Sequence, residues 1–215
     1  MTVAITGGSG TITYQWQQST TGNPGTWSNA TGTGATTSTF TPPSTVAGTT
    51  YYRVLVNASD NGCDQAVSNT ATAIISPDIS ITTQPSNLNE CVGGTATINV
   101  VVTGGSGTLT YQWQQSPDGT NNWANATGTG NTTATYTPAS TTAGTYYYRV
   151  LINAPNNGCD QAVSTVSTVI ISNDILITTQ PTDVNECVGG TNTMTVAVTG
   201  GSGTLTYQWQ QSTSG

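Results

Sequence analysis

The residues of this 215-residue chain that could do chemistry are four cysteines (Cys63, Cys91, Cys159 and Cys187), nine acids, five tryptophans and two arginines, Arg53 and Arg149; there is no histidine and no lysine. Without imidazole or amine the usual general base, Schiff-base nucleophile and phosphate clamp are all missing. Ser106 lies in Gly104-Gly105-Ser106-Gly107, a turn sequence without the G-x-S-x-G spacing of a nucleophile elbow, and no triad forms without a base. Paired carboxylates could cleave a glycosidic bond, but the acids are scattered, and Asp60 is answered by Asn156 where the sequence repeats. The residues therefore predict no enzyme, no catalytic group and no cofactor.

Two constellations call for other chemistry. Asn57, Asp60, Asn61 and Asp64, with Asn153, Asn156, Asn157 and Asp160 later on, offer oxygens of the kind a hard cation takes. Asx-rich hairpin turns explain the same residues, and no metal is expected. Among the tryptophans, Trp16, Trp113 and Trp209 alternate with glutamines on a strand and are expected in the core. Trp27 and Trp123 stand beside turns and are the candidates for stacking a sugar, with Arg53 and Arg149 expected outward, beside tyrosines.

Charge narrows the partners. A net charge of −7 with only two cations leaves nothing to neutralise a run of phosphates, so nucleic acid is excluded as a partner. A polybasic hold on an anionic membrane is excluded in the same way. No stretch reaches the ~20 apolar residues of a spanning helix, so no direct membrane insertion is expected. Only 5% of residues are charged. Thr, Ser, Gly and Asn fill the surface instead, which suits strands and tight turns.

The elements that position these residues are copies of one unit. Thr110-Tyr111-Gln112-Trp113-Gln114-Gln115-Ser116 also occurs at Thr13 to Ser19 and at Thr206 to Ser212. Cys63 and Cys159, Cys91 and Cys187, and Trp113 and Trp209 are each 96 residues apart. Such a period marks an array of one structural unit. Residues 78–173 make one complete repeat; residues 1–77 are a repeat lacking its first strand, and residues 174–215 are the N-terminal part of a third. Met1 to Gly8 matches Met194 to Gly201, so the chain start reads as an interior position and not as a signal peptide; the protein is expected to continue in both directions.

Within the complete repeat, turn signals separate about seven strands, an all-β sandwich pattern. The first lies near Ile79 to Thr83 and meets Pro85, which suits an edge or a kink. Others are expected over Ala96 to Thr103, Leu109 to Gln114, Ala134 to Thr137, Thr145 to Ile152 and Gln161 to Ile171. Only Ser172 and Asn173 join one repeat to the next, which predicts a stiff head-to-tail row.

A Trp on the third strand, with a Tyr two positions before the place of the second Cys on the sixth, resembles the immunoglobulin-like sandwich: Trp113 with Tyr148-Arg149-Val150, and Trp16 with Tyr52-Arg53-Val54. Val takes the place of that Cys, so the sheets must be held by packing around Trp16, Trp113, Trp209, Tyr52 and Tyr148. The phrases Gln84-Pro85, Cys91-Val92-Gly93-Gly94 and Pro117-Asp118-Gly119 before Trp123 resemble the tandem Ig-like repeats of large secreted surface adhesins of the Bacteroidetes. That resemblance implies an extracellular, surface-bound structural or adhesive protein, a segment of a long stalk or filament. Its partners would be adjacent repeats, further copies, other surface proteins or glycans. The alternative is a carbohydrate-binding array using Trp27 and Trp123.

One cysteine pair per repeat suits an oxidising setting. Counting alone pairs Cys91 with Cys159. The Ig topology puts them at opposite ends of a strand, further apart than the ~7 Å between Cα atoms that a disulfide tolerates, and favours bridges between repeats. Faces rich in Thr, with no edge lysines, leave lateral association between chains open.

Overall fold

Alternation of large and small polar residues along Thr110–Ser116 and Gly144–Asn153 makes the two central strands of the complete repeat, and they pair antiparallel with Trp113 opposite Val150. The structure, a computed structural model, describes residues 1–59, 64–155 and 158–212. It divides into two compact units, Met1–Pro77 and Asp78–Gly215.

In the second unit the larger sheet runs Ala124–Asn125, Thr110–Ser116, Gly144–Asn153, Ser167–Ser172 and Leu88–Cys91, with Ala162–Val163 also on Gly144–Asn153. The facing layer is two short antiparallel ladders, Ile98–Asn99 with Thr135–Tyr136 and Ser80–Thr83 with Val101–Thr103. Between the layers lie Ile79, Ile98, Val100, Trp113, Tyr136, Tyr148, Val150, Ile152, Val169 and Ile171, all buried.

Two details depart from the expected strands. The first strand stops at Thr83, passes buried Pro85 and resumes as Leu88–Cys91, which joins the other sheet parallel to Ser167–Ser172. Proline has no N–H to give a ladder, so the crossing between sheets falls where the ladder has to break anyway. The last strand is interrupted between Val163 and Ser167. There the Ser164 hydroxyl accepts the Val150 N–H at 3.0 Å and donates to the Thr165 carbonyl at 2.9 Å, standing in for a ladder bond.

The first unit repeats the arrangement with Ile12–Ser19 paired to Gly48–Ala58, and with Ala66–Val67 and Ala71–Ile75 on the far side of the latter. Its core is Trp16, Ala30, Phe40, Tyr52, Val54 and Val56. In residues 174–212 the ladder Leu176–Thr179 with Ala197–Thr199 reproduces Ser80–Thr83 with Val101–Thr103, including its register shift.

Candidate functional site

The centre of each closed repeat is a three-ring stack. Trp113 lies 5.2 Å from Tyr136 at an interplanar angle of 19°, and Tyr136 lies 5.3 Å from Tyr148 at 54°. Trp16, Phe40 and Tyr52 repeat it at 5.2 Å and 5.2 Å. Each indole N–H finds a carbonyl, Trp113 to Thr133 and Trp16 to Thr37, both at 2.9 Å. Burial pushes the Tyr148 and Tyr136 hydroxyls above the ordinary phenol range. Both therefore stay neutral, and Tyr136 Oη accepts the Gly128 N–H at 3.2 Å. Gly128 has to be glycine because a Cβ there would run into the Thr137 carbonyl and the Tyr136 ring. The middle ring, Phe40 or Tyr136, was missed as a core residue. Its signal is an aromatic flanked by threonines just before proline, Thr39-Phe40-Thr41-Pro42 and Thr135-Tyr136-Thr137-Pro138.

Trp16 is 4% and Trp113 0% exposed, and Tyr52 and Tyr148 are buried with them. Trp209 is not a core residue in this structure: it is 52% exposed, because residues 174–212 contain no counterpart of Tyr136 or Tyr148 to cover it.

On the outer face, Trp27 and Trp123 are half-buried. The Arg53 guanidinium lies 4.4 Å from the Trp27 ring centroid and that of Arg149 lies 4.2 Å from Trp123, so the arginines stack on tryptophans and not on the tyrosines expected. Strand pairing fixes this arrangement. Gln17 is opposite Arg53 and Gln114 opposite Arg149, and each glutamine carbonyl accepts the arginine Nε–H at 2.9 Å. One face of each indole is thus covered, and Trp123 Nε1 donates to the Thr120 carbonyl at 3.2 Å.

The turn before Trp123 carries a perturbed acid. Asp118 accepts N–H bonds from Asn121 and Thr120 and a hydroxyl from Ser116, which lower its pKa to about 2. The cluster is a turn lock with Asp118 exposed and Ser116 buried beneath it. Of the oxygen-rich loops, Asp60, Asn61, Asn156 and Asn157 lie outside the described residues. The Asn57 and Asn153 side-chain oxygens accept the amides of Gln65 and Gln161 at 3.0 and 2.7 Å. Among the described residues no group of three or more His, Cys, Asp or Glu could hold a metal.

Cys91, Cys159 and Cys187 are free thiols here, and Cys63 lies outside the described residues. Register explains why Cys91 and Cys159 do not pair. Cys91 lies opposite Ser172, just beyond the Ile171–Gly144 pair, whereas Cys159 follows the far end of the strand, beyond Leu151 and its partner Val163. Gly144 and Leu151 alone are about 23 Å apart at ~3.3 Å per residue.

Glu90 is a further residue that the sequence reasoning passed over. It is 8% exposed, and its Oε2 accepts the Ala96 N–H at 3.0 Å, closing the Cys91-Val92-Gly93-Gly94 loop; Glu186 does the same with Asn192 at 2.9 Å. A Cβ on Gly94, or on its counterpart Gly190 beside Glu186, would meet that carboxylate, which accounts for the glycine at this position of both copies.

A two-sheet sandwich with its Trp on the third strand and its Tyr on the sixth is the immunoglobulin-like class, here in tandem. The chain belongs to the family described as "Domain of unknown function (DUF8696)", whose model matches residues 1–77 and 81–173. No curated protein matches it. Similar solved structures include Sidekick-1 immunoglobulin domains 1–5, at 15% identity and TM-score 0.35 over 79% of this chain and 36% of that one. Others are Drosophila OTK extracellular domains 3–5, at 13% and 0.37 over 80% and 57%, and chicken CNTN1 FN1–FN3 domains, at 12% and 0.36 over 80% and 60%. The chain therefore spans less than two thirds of each of these three structures.

Proposed function

We propose that this chain is a structural or adhesive segment of an extracellular surface protein, one stretch of a long stalk or filament of Ig-like repeats of the kind its sequence resembles in Bacteroidetes adhesins. The observation that carries this reading is how each repeat uses its chemistry-bearing residues. The aromatic rings close the core, the arginines cap the outer tryptophans, and Glu90 and Asp118 tie down turns. Nothing in that inventory pairs a nucleophile with a base. The near-identical unit returns after two connecting residues, which suits a protein that spans distance.

Disulfide bridges between consecutive repeats belong to this reading. Cys91 stands beside Ser172, where the chain leaves the repeat, and Cys159 stands at the other pole. Protease shaving of intact cells tests the location: fragments of these repeats should be released from the surface. Recovery of the protein wholly inside the cells would overturn it. Non-reducing peptide mapping of the native protein should show bridges that join cysteines of different repeats and none that joins Cys91 to Cys159.

A further inference from the structure

The complete repeat is entered and left along two neighbouring strands that run the same way. Leu88–Cys91 pairs parallel to Ser167–Ser172, with Leu88 opposite Val169 and Cys91 opposite Ser172. Side chains carry this register back beyond the strand. The Ser167 hydroxyl donates to the Ser86 carbonyl at 2.6 Å, and the Asn87 side-chain oxygen accepts the Thr168 N–H at 2.8 Å. On the other side of Pro85, the Gln84 side-chain oxygen accepts the Thr165 N–H at 2.9 Å. Partners in all three bonds are 81 residues apart, as Leu88 and Val169 are in the ladder. The Val92 N–H closes the row on the Ser172 carbonyl at 2.9 Å. One seam therefore runs from Gln84 to Val92, longer than the four-residue strand inside it.

Strand direction gives this seam a mechanical consequence. Tension that enters the repeat at Asp78 pulls Leu88–Cys91 from its first residue, towards the pole where the repeat begins. Tension that leaves at Asn173 pulls Ser167–Ser172 from its last residue, towards the other pole. Strands loaded in this way slide along one another, so the evenly spaced bonds of a parallel pair share the load and fail together. Strands loaded at the same end peel, one bond at a time. The inner side of the seam is sealed by the core: Val169 is 0% and Ile171 2% exposed, with Leu88 packed beside them. Water reaches these bonds from the outer side only.

We propose that this seam is a force-bearing clamp, extended beyond its ladder by Gln84, Asn87 and Ser167, and that the repeat serves to hold tension applied along the chain. A stalk of such repeats passes a pull from its anchor to whatever its far end holds without lengthening. That role rests on the stalk reading above; the clamp itself is a property of the folded repeat. Pro85 does not interrupt it, because side-chain oxygens take over the bonding on both sides of the proline.

Single-molecule force spectroscopy on the 215-residue chain tests this, with Cys63, Cys91, Cys159 and Cys187 changed to Ser and handles attached to a pair of introduced thiols. Asp78→Cys with Asn173→Cys loads the seam in shear; Asp78→Cys with Val166→Cys loads it at one end, so that it peels. All three positions are exposed, and the circular dichroism spectra should match the parent's. At equal loading rate the rupture force should be several-fold higher in the first geometry, with an extension approaching the ~300 Å that residues 84–172 span at ~3.4 Å each. Forced unfolding follows the barrier and not the equilibrium stability. Asn87→Ala, at an exposed position in the seam, should therefore lower the shear force, while Arg149→Ala, away from it, should not. Equal forces in the two geometries, or a shear force that Arg149→Ala lowers as much as Asn87→Ala does, would overturn the clamp and leave the surface location standing. Protein recovered wholly inside the cells would remove the stalk and leave the clamp.

Discussion

Trp113 and Trp209 occupy the same heptapeptide, 96 residues apart, and their surroundings differ. Around Trp113 the Gly144–Asn153 strand supplies Val150 opposite it, Tyr136 stacks on its ring, and its exposure falls to 0%. Around Trp209 no strand of residues 174–212 does so; it lines an open apolar groove of about 380 Å³ with Ile175, Ile177, Val198, Leu205 and Tyr207. Local sequence makes the strand. Burial of its tryptophan comes from Tyr136 and Val150, 23 and 37 positions later, so a repeat is a unit of packing and not of propensity.

The largest test of that contrast is a pair of substitutions. Trp113→Ala should cost about 3–5 kcal/mol in denaturant unfolding of its repeat, as large-to-small changes at buried aromatics do. Trp209→Ala should cost less than about 0.5 kcal/mol in the monomer. Equal losses would mean that the third segment has a closed core in solution.

Next comes the serine that replaces a ladder bond. Ser164 is buried and holds the N–H of fully buried Val150, so Ser164→Ala should cost about 1–3 kcal/mol for an orphaned donor. Ser68 makes the same bond to Val54 but is only half-buried, and water can replace it; Ser68→Ala should cost measurably less by the same assay.

The arginine–tryptophan stacks should matter less. Arg149→Ala is expected to lose about 0.5–1 kcal/mol and to change the fluorescence of Trp123, with Arg53→Ala acting alike on Trp27. A glycan that protects these indoles from quenching in the native protein would point to the carbohydrate-binding alternative.

The smallest effect is on pH. Asp118 is held at about 2 by bonds to its charged form, below an ordinary carboxylate. Its contribution is therefore complete above the unfolded carboxylate's pKa and is lost as pH falls through about 2. The first unit's equivalent turn, Ser19 to Gly25, uses Thr21 and Thr26 hydroxyls instead. An NMR titration should show the Asp118 carboxyl titrating near pH 2, with the Ser116–Asn121 turn shifting alongside it and the Ser19–Gly25 turn unmoved.

Much of this was legible in the chain. The 96-residue period, the strands around Trp16 and Trp113 and the turn sequences all follow from spacing and alternation, which are local properties. The Leu88–Cys91 strand was not, because Asn-Glu-Cys has no apolar alternation and its parallel partner lies about 80 residues away. The arginines were placed outward correctly but beside the wrong rings. Alternation tells the face of a strand; it does not tell which loop residue folds back over that face, and here it was Trp27 and Trp123.

The sequence by itself determined the repeat, its phase, the all-β class and the lack of any histidine or lysine, since composition and periodicity need no partner to be read. Only the tertiary structure decided which tryptophans are covered and which edge is closed by a parallel strand. Those outcomes depend on contacts between residues far apart in the chain: the same heptapeptide is a buried core at Trp113, under Tyr136 and the Gly144–Asn153 strand, and lines an exposed groove at Trp209, where the described residues include no counterpart of either.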